Sequence, residues 1–353
     1  MAKTQIKQAE NEVALYRKYR PQSFEEVVGQ DHIVKTLEGA IENGNIAHAF
    51  LFCGTRGTGK TSVARILARA IGCTNNDLTE IDAASYTGVD NIRELNESVN
   101  TLPFESPYKV YIFDEVHMLS KGAFNALLKT LEEPPKHVIF ILATTELEKV
   151  PETVVSRCQT FVFKKPTQKI LKDMVLSVSK KEGFSLEQSS ADLIAFLGDG
   201  SFRDTQSILQ KIIGSSSDKK ISVEEVLSVT GAPKTETVNN FIMALQDRDA
   251  ELGLSAISEA VGANIDMSIY LKLILQKLRA VLILRLVPEK EDELSKKFAE
   301  KDFLLLKDLA TRKDSQISSK TLLELLNTYD QLNQSSLPEM VLELTLVKIT
   351  GEK

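Results

Sequence analysis

The sequence predicts an α/β domain built on a parallel sheet, followed by two all-helical domains. Short apolar runs, AFLFCG, TEIDAAS, KVYIFDE, HVIFILATT and FVFK, alternate with helical patterns between Ala49 and Lys164, which is the signature of a sheet covered on both faces. A glycine-rich loop, GTRGTGKT at 54–61, separates the first run from a helical pattern. After Pro166 the strand-like runs cease and the apolar spacing is helical.

The elements follow in order. TSVARILARAIG sets Val63, Ile66, Leu67, Ala70 and Ile71 on one helical face, directly after the glycine loop. Ser120 is a capping residue for a helix lined by Phe124, Leu127, Leu128 and Leu131, which Pro134 and Pro135 stop. The α/β domain therefore runs over 13–166, behind a loose, flexible N-terminus at 1–12. QKILKDMVLSVSKK, SSADLIAFLG and SFRDTQSILQKIIG, separated by Gly and Ser, make a helical lid domain over 167–231. Beyond the GAPKTET break near Gly231, residues 232–353 read as four or five longer amphipathic helices, among them NNFIMALQ, SIYLKLILQKLRAVLILRLV and SKTLLELLNTYDQL. This last block carries no recognisable chemistry, and such apolar-rich helical domains are expected to serve assembly.

A chain of 353 residues with 42% hydrophobic and 26% charged content fits two or three globular domains. MAKTQIKQAENE has no apolar h-region, and no uninterrupted apolar run reaches the roughly 18 residues of a membrane span. A cytoplasmic protein is expected. Cys53, Cys73 and Cys158 are scattered and odd in number, which suits neither a disulfide framework nor a metal knuckle. The net charge of −6 requires any nucleic-acid contact to come from a local basic face.

The chemistry starts at the loop made of Gly54, Thr55, Arg56, Gly57, Thr58, Gly59, Lys60 and Thr61. Its pattern, after a strand and at the start of a helix, is that of a phosphate-binding loop. Gly54, Gly57 and Gly59 let backbone N–H groups wrap a phosphate, Lys60 reaches the outer phosphates, and the Thr61 hydroxyl can ligate Mg²⁺. ATP with Mg²⁺ is the expected ligand, and a helix-capping glycine turn is the plainer alternative. Such a loop needs an acidic partner, and KVYIFDE ends on Asp114 and Glu115. Asp114 is assigned to Mg²⁺ and Glu115 to activating the attacking water, the alternative being a solvated strand end. His117 reads as packed or hydrogen-bonded rather than as a metal ligand. ILATTE ends its strand in two threonines; Thr145 is chosen over Thr144 to bridge towards the terminal phosphate, although a β-branched pair is also ordinary strand composition. Arg157, just past ETVV, could satisfy a helix C-terminus or act as an arginine finger in a neighbouring subunit. Arg203 sits inside an S-x-x-D capping pattern, where a cation opposes the helix dipole. It reads as reaching to the bound phosphates, with pairing to Asp199 as the alternative.

KYRP at 18–21, VVGQ at 27–30, DEVHMLS at 114–120, FNALLKTLEEPP at 124–135, SRC at 156–158 and GSFRD at 200–204 form an ordered set. This set resembles the AAA+ clamp-loader family, in particular the bacterial DNA polymerase III gamma/tau branch, over at least 14–205. The resemblance implies an AAA+ P-loop NTPase domain, a lid and a collar. It also implies roles for Thr145 in sensing and for Arg157 in trans, and it sets Tyr16, Arg20 and Val28 around the base. A hetero-oligomeric, pentameric ring is implied by the resemblance, with delta-type and delta-prime-type subunits as companions. Such a ring uses ATP to open a sliding clamp and releases it around primer-template DNA at replication forks, without polymerase chemistry of its own. DNA contacts are expected at phosphates, with Lys121 and Arg93 as candidates. Many members carry a four-cysteine zinc module after the phosphate-loop helix; here only Cys73 remains in IGCTNNDLTEIDAAS, so no zinc is expected. The chain stops at Lys353 without the tail of tau-type members, which makes it gamma-like. The competing readings are a hexameric branch-migration or unwinding motor and a non-hydrolysing scaffold subunit.

Overall fold

The computed structural model describes residues 13–216, 218–295, 298, 300–332 and 334–351; the predicted loose end at 1–12 lies outside them. The chain divides into two compact units, one holding the residues up to Val178 together with Gly198–Gln210, the other Ser179–Leu197 and the residues from Lys211 onward.

The first unit begins with α1 (Leu15–Lys18) and α2 (Asp31–Glu42) and continues β1 (Ala49–Cys53), α3 (Lys60–Ala70), β2 (Leu78–Asp82), α4 (Val89–Val99), β3 (Lys109–Asp114), α5 (Lys121–Glu132), β4 (Val138–Thr144), α6 (Glu152–Val155) and β5 (Gln159–Val162). The start of α7 (Gln168–Lys181) and most of α9 (Phe202–Ser215) complete it. All strand pairs in its sheet are parallel, in the order β2-β3-β4-β1-β5. Strand composition follows position. Every residue of the inner strands β1 and β4 is buried, and these read as continuous apolar runs, whereas the edge strands β2 and β5 bury one residue each. The period of two sorts the side chains onto two cores. Leu51, Tyr111, Phe113, Phe140 and Leu142 pack with α4 and α5 residues such as Ile92, Leu95 and Leu127. Phe50, Phe52, Ile112, Ile139 and Ile141 pack on the other face with Ile33, Leu37, Val63 and Leu67 of α2 and α3.

TEIDAAS is a strand only as far as Asp82. The Asp82 side chain accepts the Ala84 N–H at 3.0 Å and its carbonyl accepts those of Ser85 and Tyr86, so the chain turns there. Ser120 caps α5 as expected, accepting the Ala123 N–H at 3.2 Å. Helices α2 and α4 are additions to the sequence reading.

The second unit contains α8 (Gln188–Leu197), a short parallel pair β6 (Ser185–Leu186) and β7 (Lys220–Ile221), and α10 (Val223–Thr230), which opens with a reciprocal Ser222–Glu225 capping box and closes on Gly231 in left-handed backbone. The β6–β7 pair corrects the expectation that strands end at Pro166; two residues per strand are too few to show alternation. Beyond Gly231 lie α11 (Thr235–Asp247), α12 (Ala250–Gly262), α13 (Met267–Leu286), α14 (Glu291–Ser295), α15 (Glu300–Thr311), α16 (Ser319–Leu332) and α17 (Pro338–Thr350). Seven helices among the described residues replace the expected four or five. Their core is built on Phe241, Tyr270, Ile274, Leu278, Leu306, Leu325 and Leu346. An ion pair is sealed inside it: Lys277 donates to Asp302 at 2.8 Å and to Asn239 at 2.8 Å, and Asn239 donates to Asp302 at 2.9 Å.

Candidate nucleotide site

Ligands of open parallel sheets sit beyond the carboxyl ends of the strands, and there the functional side chains of the first unit collect. The loop after β1 is fastened at its start, where Gly54 N–H donates to Thr144 O at 3.2 Å. A Cβ on Gly54 would fall 2.6 Å from the Phe163 carbonyl oxygen. Gly57 has φ +73°, a Cβ there would fall 1.9 Å from Ser201 Oγ, and its carbonyl accepts the Phe202 N–H at 2.9 Å. The loop is thus packed against the first turn of α9, and only glycine fits. Gly59, at φ +102°, directs the chain into α3.

Lys60 is 6% exposed. Its ammonium donates to the carbonyls of Gly54 at 2.7 Å and Thr55 at 3.1 Å, and no carboxylate lies within ion-pair distance of it among the described residues. Burial pushes its pKa down, against the pull of the Glu115 and Asp114 charges. A buried cation held only by neutral oxygens is a receptor for an anion. Thr58, fully buried, donates its hydroxyl to Thr55 O at 2.9 Å and so braces the turn.

Thr61 donates to Asp114 Oδ2 at 3.0 Å. This hydroxyl and carboxylate are hard oxygen donors of the kind Mg²⁺ takes, so the donor set fits that ion. Next to them Glu115 adopts φ +49°, a left-handed conformation unusual for a side chain of this size. Its Oε2 accepts both the N–H of Thr145 at 3.3 Å and its hydroxyl at 3.0 Å. Thr144 is turned the other way and is wholly buried, its Oγ1 3.0 Å from His117 Nδ1. Thr145 is therefore the threonine beside Glu115. His117 is packed and hydrogen-bonded, in line with its sequence reading. Among the described residues no three His, Cys, Asp or Glu side chains converge as a metal site.

Tyr16, Arg20, Val28, Arg56, Gly57, Thr58, Gly59, Lys60, Thr61, Asp114, Glu115 and Arg203 line one cleft. Gly54 and Thr55 stand behind it as acceptors for Lys60. Arg20 is half-buried, and burial and then the neighbouring Arg65 cation push its pKa down. Ser201 caps α9 through the Asp204 N–H at 3.1 Å, and the Arg203 guanidinium lies 4.9 Å from the Tyr16 ring centre. Tyr16 thus faces a cation within the cleft in addition to any role beside a base. Arg157 does not line the cleft. It donates to Thr153 O at 2.6 Å, across the end of α6, and pairs with Glu132 at the end of α5. The helix-terminus bond that was its plainer reading is present. Arg93 is exposed and pairs with Asp90 at 3.0 Å, and Lys121 is exposed at the start of α5.

Two site residues escaped the sequence reading. Gln30, the last residue of VVGQ, is 1% exposed; it donates to Lys164 O at 2.8 Å and to Thr58 O at 3.5 Å, and accepts the Lys164 N–H at 3.2 Å. It clasps the phosphate loop to the chain leaving β5. Its signal was only a motif letter. Glu132 is the other, and nothing in a stretch reading LEEPP tells which glutamate will find an arginine 25 positions away.

A parallel sheet with this phosphate loop after β1, an acidic pair closing β3 and a threonine closing β4 defines the P-loop nucleotide-binding fold of the AAA+ class. The Holliday-junction branch-migration motor RuvB of Thermotoga maritima has the same fold, at a TM-score of 0.51 and 20% identity, over 69% of this chain and 85% of that one. The family described as "DNA polymerase III, delta subunit" matches residues 29–86 and 76–167. The tau subunit of DNA polymerase III from Bacillus subtilis is 39% identical over 361 residues, covering 95% of this chain and 63% of that protein. The gamma/tau subunit of Mycobacterium tuberculosis H37Rv is 37% identical over 78% of this chain and 52% of its own length, and tau of Escherichia coli K12 is 37% identical over 78% and 46%. The chain belongs to the DNA polymerase III gamma/tau family. It spans about half to three-fifths of the length of these relatives. No helix among the described residues is long and apolar enough to cross a membrane.

Proposed function

We propose that the chain is an ATP-hydrolysing motor subunit of a bacterial clamp loader, working in the cytoplasm at replication forks. The observation that carries the proposal is Lys60, a buried cation without a carboxylate partner among the described residues, set in a loop beside the Thr61–Asp114 pair and the Glu115–Thr145 pair. Lys60 exchanges its two carbonyls for the outer phosphates of ATP. Thr61 and Asp114 are the residues that would hold Mg²⁺, which neutralises phosphate charge when bound. Glu115, oriented by Thr145, takes the proton of the attacking water. Arg203 approaches the phosphates from α9, while Tyr16, Arg20 and Val28 border the base.

Arg157 completes the site of a neighbouring copy or companion, a role compatible with its position outside its own cleft. In this reading the helices beyond Gly231 hold a hetero-oligomeric ring of five subunits, with delta-type and delta-prime-type companions, and the ring acts on a sliding clamp and primer-template DNA. The division into 13–166, 167–231 and 232–353 belongs to the same proposal, as does the lack of structural zinc, which elemental analysis at about one zinc per chain would contradict. The deciding experiment is ATP turnover of the assembled complex with clamp and primed DNA supplied singly and together. Full stimulation only with both is expected. Turnover indifferent to the clamp would favour another kind of AAA+ motor, and none under any condition a silent scaffold.

A further inference from the structure

His117 stands just behind the acidic pair. Its side chain is 7% exposed, and both ring nitrogens face oxygen: Nδ1 lies 3.0 Å from Thr144 Oγ1 and 3.6 Å from Glu115 Oε2, and Nε2 lies 3.2 Å from Glu146 Oε1. A carboxylate only accepts, so Nε2 carries the proton that bonds Glu146. Thr144 Oγ1 also accepts the Glu146 N–H at 3.0 Å, and Thr144 O accepts the Gly54 N–H. Glu146 in turn pairs with Lys149 at 2.7 Å.

These bonds fix three consecutive residues by their own side chains. His117 grips Thr144 and Glu146 on either side of Thr145, and Thr145 is the residue that presents an N–H and a hydroxyl to Glu115. We infer that His117 is a positioning residue for ATP hydrolysis: by clamping the 144–146 turn from both ends, it sets where Glu115 is held. The inference rests on the assignment of Glu115 as the base, and extends it to a side chain that does not line the cleft. A group misplaced by about 1 Å costs on the order of 100-fold in rate, and loss of a supporting partner typically costs about 10- to 100-fold.

The test compares His117→Ala, His117→Asn, His117→Gln, Glu146→Gln and Glu115→Gln in the chain purified with its natural companions, reading ATP turnover and, separately, the Kd of a non-hydrolysable ATP analogue. An asparagine amide occupies the place of Nδ1 and keeps the bond to Thr144, whereas a glutamine amide occupies that of Nε2. The expected result is a roughly 10- to 100-fold loss of turnover in His117→Ala with Kd within about two-fold, recovery of most of the loss in His117→Asn but not His117→Gln, and a smaller loss in Glu146→Gln, whose side chain is only half-buried. Unchanged turnover in His117→Ala and Glu146→Gln, or an Asn variant no better than Ala, overturns the inference, as does a loss of turnover that a weaker Kd accounts for in full. Glu115→Gln separates the two levels. If it keeps full turnover, the assignment of the base fails and the inference with it; if it loses turnover while the His117 variants do not, the inference alone fails.

Discussion

Two lysines, one in each unit, are equally buried and differ in what they hold. Lys60 and Lys277 are each 6% exposed, and burial pushes the pKa of both down. Lys277 has a carboxylate at 2.8 Å and an amide beside it, so its charge is answered inside the helical core. Lys60 has two carbonyls of its own loop and, among the described residues, nothing anionic within ion-pair reach. A buried charge with its counter-ion is architecture. One without is a site, because the missing anion must come from a ligand.

Removing each ammonium should separate these roles. Lys277→Ala leaves Asp302 buried and unpaired, which is expected to destabilise the chain by about 3–5 kcal/mol in chemical denaturation while leaving ATP affinity alone. Adding Asp302→Leu should recover most of that loss, and a double variant no better than the single one would refute the pairing argument. Lys60→Ala should do the reverse, weakening ATP binding by about 2–5 kcal/mol in an equilibrium titration without lowering the denaturation midpoint. Unchanged affinity would remove the phosphate loop from the account. The smallest effect is one of pH. Lys60 loses its proton below the ordinary 10.5 because its folded pKa is depressed, so ATP affinity should fall on the alkaline side before that value is reached. Stability has the opposite sign: the unfolded chain holds these protons more tightly, so the cost of burying either lysine is present at neutral pH and is relieved as pH rises towards 10.5. Titrations from pH 8 to about 10 would show both trends.

The sheet and the site differ from the helical region in how far the sequence discloses them. β1 and β4 were legible because inner strands are apolar throughout, and the loop, Asp114 and Glu115 because their spacing has few other uses. The helix count failed beyond Gly231 for a local reason. The breaks after α11 and α12 are made by Arg248 and Asn264 in left-handed backbone, with Asp249 and Asp266 capping the next helices, so the residue that turns the chain at each break is not a glycine. At the site, contacts within a few residues of a motif could be read, whereas the partners of Gln30, Arg157 and His117 lie up to 134 positions away and depend on the finished sheet. Choosing between Thr144 and Thr145 needed the strand's facing, which the pair of letters alone did not supply.

Glu115 holds a backbone conformation, φ +49°, that costs a residue with a Cβ on the order of 1 kcal/mol. Selection for folding alone would put glycine there, and Glu115→Gly is expected to raise the melting temperature while abolishing turnover. At this one position the most stable chain and the most active chain are different sequences.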